Sequence, residues 1–184
     1  IEPVDPWSNI VFSSAHFPWS AEVGDPVNAF TGEFVHLPPP DLDMGGPLPL
    51  RFQRYLGTFL RRDRKIESRL GDNWLHNFDW RLHRDGSAVV VVTWQGAIIR
   101  FEQDGGTGWS LTQTPETPYQ LAEPGDGTYL LGDPKENLIY TFDADGRLLR
   151  VQDRNGNAHM LTYASGLLAE VADGLGRLLQ FDYD

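Results

Sequence analysis

Residues 140–163 read YTFDADGRLLRVQDRNGNAHMLTY, and this stretch decides the fold. Two runs of alternating apolar and polar residues, 147–151 and 159–163, each follow a turn-forming segment. The turns contain Asp145-Gly146 and Asn155-Gly156, and such pairs tolerate the positive φ angles of tight hairpin turns. The stretch therefore predicts β-hairpins joined one after another.

The same pattern recurs along the chain at a fixed interval. Triplets that end in an aromatic residue occupy residues 140–142, 161–163 and 181–183, which lie 21 and then 20 residues apart. A unit of about 20 residues is too short to bury its own apolar face, so neighbouring units must stack on each other. We expect an all-β fold, an antiparallel hairpin meander in which residues 136–184 are repeats.

Three further motifs precede the repeats. They read GDPVNAFTGE at residues 24–33, GPLPLRFQRY at 46–55 and LGDNWLHNF at 70–78. Together with the repeats, these motifs resemble the Rhs (rearrangement hot spot) proteins, in which YD repeats follow an opening module and whose relatives include the teneurins and the shell subunits of Tc toxins. The resemblance covers residues 24–184, although Asn73 stands where the family more often has glycine.

The resemblance gives structural roles to particular residues and divides the chain into three parts. The parts are a strap or plug rich in proline and aromatic residues at 1–23, the Rhs opening module at 24–135, and YD repeats at 136–184. The opening-module residues are Gly24, Asp25, Pro26, Gly32, Pro47, Leu48, Trp74, His76 and Asn77. The repeat-motif residues are Phe142, Asp143, Gly146, Arg147, Asp153, Gly156, Tyr163, Asp173, Gly176, Phe181 and Tyr183.

The resemblance also implies a function. The chain is expected to form the first turns of a coiled β-sheet shell that encloses a C-terminal toxin until delivery. In bacteria this commonly means interbacterial competition through type VI secretion, with a spike protein, a chaperone and a cognate immunity protein as partners. The polypeptide would be cytoplasmic before export and then a secreted effector, and the self-cleavage motif of the family would lie at the far end of the repeat region, which this chain does not contain.

Composition limits the other functions that the chain could have. The formal net charge is −11, but residues 51–84 carry nine of the fifteen Lys and Arg residues against four acids. Arginine alternates there with apolar and acidic residues, and the acidity of the rest of the chain opposes binding to phosphate backbones, so we expect no nucleic-acid partner. Cysteine is absent, which excludes disulfide and thiolate chemistry, and no apolar run is long enough for a membrane span.

The residues show no convincing catalytic or metal-binding motif. His76 and His83 lie seven residues apart, a spacing that places them on opposite faces of a strand, so a shared metal would need further ligands from other elements. The run Asp153-x-Asn155-x-Asn157 begins like a calcium loop, but Ala158 and Ala164 stand where glycine and the bidentate acid are needed. We therefore predict no enzyme activity and no cofactor.

A second function remains open from the residues alone. Six tryptophans could stack on sugar rings, which would make the chain a carbohydrate-binding or cell-surface-binding β module. The exposure of Trp74, Trp80, Trp94 and Trp109 distinguishes the two functions, because a shell wall would bury these side chains and a sugar-binding surface would expose several of them.

Local patterns predict the individual strands of the opening module. Alternation predicts strands at residues 33–37 and 48–55, and the β-branched run at 88–92 predicts a central strand covered on both faces. The basic segment at 56–70 fits either a helical turn or a loop. The prolines and aromatic residues of 1–23 fit an extended strap over a sheet edge or core of this chain, or a plug within a larger shell.

Overall fold

The computed structural model describes residues 27, 32–60, 66, 68–106, 108–113 and 117–184. Within these residues the chain forms sixteen β-strands in antiparallel sheets, so the predicted all-β fold is confirmed. The predicted strap or plug at 1–23 and the motif residues Gly24, Asp25 and Pro26 lie outside the described residues. The described part of the chain contains no helix with the length and apolarity needed to cross a bilayer.

The opening part of the chain forms three small sheets. The first pairs three strands in the order β1-β4-β5, the second pairs β2 with β3, and the third is a four-stranded meander from β6 to β9. The strands are β1 (Val35–His36), β2 (Leu42–Asp43), β3 (Arg51–Phe52), β4 (Arg54–Gly57), β5 (Trp74–His76), β6 (Arg81–Asp85), β7 (Ala88–Val92), β8 (Ile98–Gln103) and β9 (Trp109–Gln113). All five residues of β7 are buried, which confirms the predicted central strand.

The repeats belong to a single seven-stranded sheet in which each strand pairs with the next along the chain. The strands are β10 (Gln120–Ala122), β11 (Tyr129–Asp133), β12 (Leu138–Phe142), β13 (Leu148–Asp153), β14 (Ala158–Ala164), β15 (Leu167–Ala172) and β16 (Leu178–Gln180). Alternate residues on one face are buried, as the registers Tyr140↔Val151 and Leu161↔Val171 show. The sheet thus buries one face, as an array of stacked hairpins must.

Three strand predictions differ from the structure. The strand predicted at 48–55 is confirmed only in part, because residues 46–49 form a turn and the remainder is divided at Gln53 into β3 and β4. Pro47 and Pro49 have no N–H group for a sheet ladder, and the Asn77 side chain accepts the Gln53 N–H at 2.9 Å. The strand predicted at 33–37 is reduced to Val35–His36, and the third triplet, 181–183, follows β16 without belonging to it.

An aspartate organises three of the turns in the repeats. Its Oδ1 atom accepts the backbone N–H of the residue four positions later, and its Oδ2 atom accepts a bond from the side chain of that same residue. The three pairs are Asp143 with Arg147, Asp153 with Asn157, and Asp173 with Arg177. Because the side chain closes the turn, the register of each hairpin is fixed locally.

A tyrosine makes the same hydrogen bond to the backbone of the neighbouring strand in two repeats. The Tyr163 hydroxyl donates to the Leu148 carbonyl, and the Tyr183 hydroxyl donates to the Leu168 carbonyl, both at 2.8 Å and both across 15 residues. The repeat seen in the sequence is therefore a repeat of hydrogen bonds as well as of side-chain types.

One hydrophobic core joins the β6–β9 sheet to the repeat sheet. Leu82, Val91 and Phe101 from the first sheet belong to the same buried cluster as Tyr140 and Phe142 from the second. The indole of Trp80 stacks on the Tyr140 ring with a centroid separation of 4.2 Å. The two sheets thus share apolar contacts rather than forming separate cores.

The two sheets make a close backbone contact at Gly146. Its carbonyl accepts the Leu82 N–H at 2.9 Å, and its φ angle is +77°. A Cβ atom at Gly146 would lie 2.8 Å from the Leu82 carbonyl carbon and overlap the carbonyl oxygen. Glycine is therefore required here both for its φ angle and for the missing side chain.

Substitution of Gly146 should cost far more than the same substitution in another turn of the repeats. Gly156 also has a positive φ, +88°, but a Cβ atom there meets nothing closer than Gln152 at 3.9 Å. We expect G156A to lower the free energy of unfolding by about 1 kcal/mol, from the left-handed backbone alone. G146A should lower it by about 3 kcal/mol or more because β6 must also move. Urea denaturation of both variants measures this, and equal losses would show that the close contact does not matter.

Candidate functional site

A buried histidine and aspartate face each other at the corner between β5 and β6. The His76 side chain is 8% exposed and the Asp79 side chain 15%, and His76 Nε2 lies 3.2 Å from Asp79 Oδ1. Asp79 Oδ2 accepts the His76 backbone N–H at 2.8 Å, while His76 Nδ1 accepts the Phe78 N–H at 3.2 Å. The neutral ring therefore carries its proton on Nε2, facing the carboxylate.

Burial shifts the pKa values of these two groups in opposite directions. It lowers the pKa of His76 from 6.5 to about 4, because the imidazolium loses its hydration. It raises the pKa of Asp79 from 3.8 to about 7, despite the hydrogen bonds from His76 and Ser68 that favour the carboxylate. Near neutral pH, His76 is uncharged and Asp79 is close to its midpoint.

Asp79 borders a cavity of about 300 Å³ where the opening part of the chain meets the repeats. The lining includes His76, Phe78, Trp80 and Arg81 from the β5–β6 corner, Arg147 from the turn before β13, and Tyr163 and Tyr183 from two successive repeats. Four motif residues that lie far apart in sequence, namely His76, Arg147, Tyr163 and Tyr183, thus meet at one place. This cavity is the candidate functional site.

Three arginines surround the cavity. Arg147 binds Asp143 through Nε at 2.8 Å and lies over the Tyr163 ring at 5.5 Å from its centroid. Arg69 and Arg81 also line the cavity. Burial raises the pKa of the Tyr163 hydroxyl, so the tyrosine remains neutral. The cavity lining thus contains three guanidinium groups, of which that of Arg147 is paired with Asp143, and one carboxyl group, that of Asp79.

The hairpin that contains the GPLPL motif packs against the repeat sheet and is held there by hydrogen bonds. Its turn places the Leu48 carbonyl 3.3 Å from His159 Nε2 on β14. The Arg177 guanidinium, from the turn before β16, donates to the Met44 carbonyl and fills the space that a side chain at Gly46 would need. Pro47 and Leu48 thus occupy the docked turn of this hairpin.

The remaining opening-module residues hold the local backbone. Asn77 bonds to the backbone of both Arg51 and Gln53. Trp74 lies beneath the Arg54 guanidinium, 5.2 Å from it. Asn73 has a φ of +67°, and Gly32 a φ of +71°. A left-handed backbone explains why glycine suits position 73, and asparagine is among the residues that tolerate it best.

The sequence did not predict the structural roles of three residues. Asp79 carries no motif of its own, although its position three residues after His76 was visible. Asp133 is buried and accepts the N–H groups of Lys135 and Glu136. It lies 20 residues before Asp153, so the same interval would have found it. The docking role of Arg177 left no sequence signal, because only the fold brings it to Met44.

The histidine pair considered for metal binding is split between two strands, with His76 at the end of β5 and His83 within β6. Among the residues that the structure describes, no group of three or more His, Cys, Asp or Glu side chains is placed to hold a metal ion.

A comparison with known protein families matches the opening part of the chain. Residues 24–101 match the family model described as a domain of unknown function, DUF6531. The match covers fewer than half of the residues and ends in β8, so it includes the GPLPL hairpin and the His76–Asp79 corner but none of the repeats. No curated protein matches the chain.

The opposed pKa shifts predict a specific pH dependence of stability. Between about pH 4 and 7 the folded chain keeps a proton on Asp79 that the unfolded chain loses, so this term weakens the fold as pH rises. Between about pH 6.5 and 4 the unfolded chain protonates His76 and the folded chain does not, so this term weakens the fold as pH falls. Each of these terms changes the free energy of unfolding by about 1.4 kcal/mol per pH unit. In the wild type the two contributions cancel between about pH 4 and 6.5.

Substitution of either His76 or Asp79 should leave only the pH dependence of stability that the other residue causes. Relative to the wild type, D79N should lose stability as pH falls from 6.5 to 4, whereas H76Q should gain stability as pH falls from 7 to 4. Urea denaturation from pH 4 to 8 measures both. The same sign of slope in both variants would contradict the assignment.

Proposed function

We propose that this chain is a non-catalytic structural segment of an Rhs-type polymorphic toxin, forming part of a β-shell that encloses and delivers a C-terminal toxin domain. The observation that carries the proposal is the repeating hydrogen-bond pattern of the seven-stranded sheet. Asp143, Asp153 and Asp173 close equivalent turns. Tyr163 and Tyr183 make equivalent cross-strand bonds. Because this pattern allows further strands to be added to the sheet one after another, it suits the wall of a shell.

The arrangement of the tryptophans supports a wall over a sugar-binding surface. Trp80 is buried and stacked on Tyr140. Trp94 and Trp109 are partly buried against the core, and Trp74 is half-buried under Arg54. Stacking on a sugar needs open aromatic faces, and none of these four side chains is classed as exposed.

The two faces of the repeat sheet also suit a wall. One face packs into the shared core, and the other exposes Ile139, Met160 and Leu178, each between 44% and 48% accessible. Met160 and Leu178 align across β14, β15 and β16 through Ala172. An apolar row of this kind offers contact to an enclosed protein without requiring a defined binding site.

The proposed partners follow from the same role. They are the remainder of the same polypeptide with its C-terminal toxin, a secretion spike protein and a chaperone for delivery, and a cognate immunity protein. The polypeptide is cytoplasmic before export and a secreted bacterial effector afterwards, with type VI secretion as the route.

Protease protection tests the proposal. The natural polypeptide that carries this chain should shield its C-terminal part, so that digestion of that part is slower by at least about tenfold in native buffer than in denaturant. Mass spectrometry of the fragments over time measures this. Equal digestion rates in the two conditions would contradict an enclosing shell.

The two glycine variants provide a matched pair for the same assay. In the natural polypeptide, G146A should open the wall where the two sheets meet and speed digestion of the C-terminal part. G156A, which has the same φ requirement without the close contact, should leave protection near the wild-type level.

A further inference from the structure

Positively charged side chains cluster at the cavity beside Asp79, and the proposed role in a shell wall gives no reason for this cluster. The chain as a whole is strongly acidic, with a formal net charge of −11, yet Arg69, Arg81 and Arg147 all line this one cavity. Arg147 is neutralised by Asp143 and Asp145. Among the residues that the structure describes, no salt bridge joins Arg69 or Arg81 to an acidic side chain, which leaves both guanidinium groups as candidate ligands for a molecule in the cavity.

The surrounding groups favour an anion in this space. Guanidinium groups bind phosphate and carboxylate oxygens through paired N–H donors. The hydroxyl protons of Tyr163 and Tyr183 are already donated to backbone carbonyls, so the arginines remain the main donors. A volume of about 300 Å³ lies at the lower end of the range for small-molecule sites and suits a single compact ligand.

A charged Asp79 carboxylate would repel an anion, but the surroundings of Asp79 favour its uncharged form. Its carboxyl is buried against His76 at 3.2 Å, and its pKa is about 7. When protonated, it presents a hydrogen-bond donor rather than a negative charge. Six ionisable or charged groups face the same cavity, namely Arg69, His76, Arg81, Arg147, Tyr163 and Tyr183, and of the six only His76 has an ordinary pKa between 6 and 8. Burial keeps His76 neutral there.

We propose that the cavity between the β5–β6 corner and the repeats is a binding site for a small oxyanion, a phosphate or carboxylate group, held by Arg81 and Arg69. This site goes beyond the wall role and does not depend on it. An anion site without a shell, or a shell without an anion site, would each be recognised by a separate experiment.

Calorimetric titration with inorganic sulfate tests the site, because the charge of sulfate does not change between pH 6 and 8. The chain should bind sulfate with a Kd below about 10 mM at pH 6, and R81Q and R69Q should each weaken binding by about tenfold. Arg84 lies on the same strand as Arg81 but binds Glu123 and Tyr129 away from the cavity. R84Q should therefore bind as the wild type does, with folding of all variants checked by thermal denaturation.

The pH dependence gives a second readout that a diffuse charge effect would not produce. Affinity should fall by about tenfold from pH 6 to pH 8, because the Asp79 proton is lost. D79N, which keeps a donor and has no charge, should bind with the same affinity at both pH values. Titrations with methyl phosphate and acetate at pH 6 then decide whether the site prefers a phosphoryl group or a carboxylate. Equal weakening by R81Q and R84Q, or no sulfate binding at pH 6, would overturn the site.

Discussion

The backbone contact between Gly146 and Leu82 is the constraint on which the rest of the structure depends. It brings the first repeat turn against β6 with a hydrogen bond of 2.9 Å and no room for a side chain. Because the turn and the strand meet this closely, Trp80 can stack on Tyr140 and the two sheets can share one core. The cavity beside Asp79 lies at the same junction, between Arg81 and Arg147.

The repeats propagate from that contact by a local rule. Each turn aspartate is saturated by donors from its own turn, and in Asp153 the hydrogen bond from the Asn157 side chain, with those from the backbone, lowers the pKa of the carboxyl. A turn whose hydrogen bonds are all made within the turn needs no tertiary partner. The same unit can therefore be repeated without a change in the packing of the core. The GPLPL hairpin then ties the array to the opening module through Arg177 and His159.

The sequence predicted the parts of the fold that local rules determine. Asp145-Gly146 and Asn155-Gly156 indicated the hairpins, the run at Ala88–Val92 indicated a central strand, and the 20-residue interval indicated the repeat sheet. The prediction held only in part at 48–55, where prolines shorten the strand and the Asn77 side chain interrupts it at Gln53. It also missed the cavity, because His76, Arg147 and Tyr163 come together only after the two sheets pack, and no short-range pattern encodes that meeting.

The central claim is that this chain is part of a hollow β-sheet wall, and electron microscopy of the natural polypeptide that contains it tests this most directly. The account predicts a hollow particle whose wall includes the seven-stranded sheet from Gln120–Ala122 to Leu178–Gln180, with a C-terminal fragment retained inside and detected by intact-mass measurement. A solid or extended particle with no enclosed fragment would contradict it.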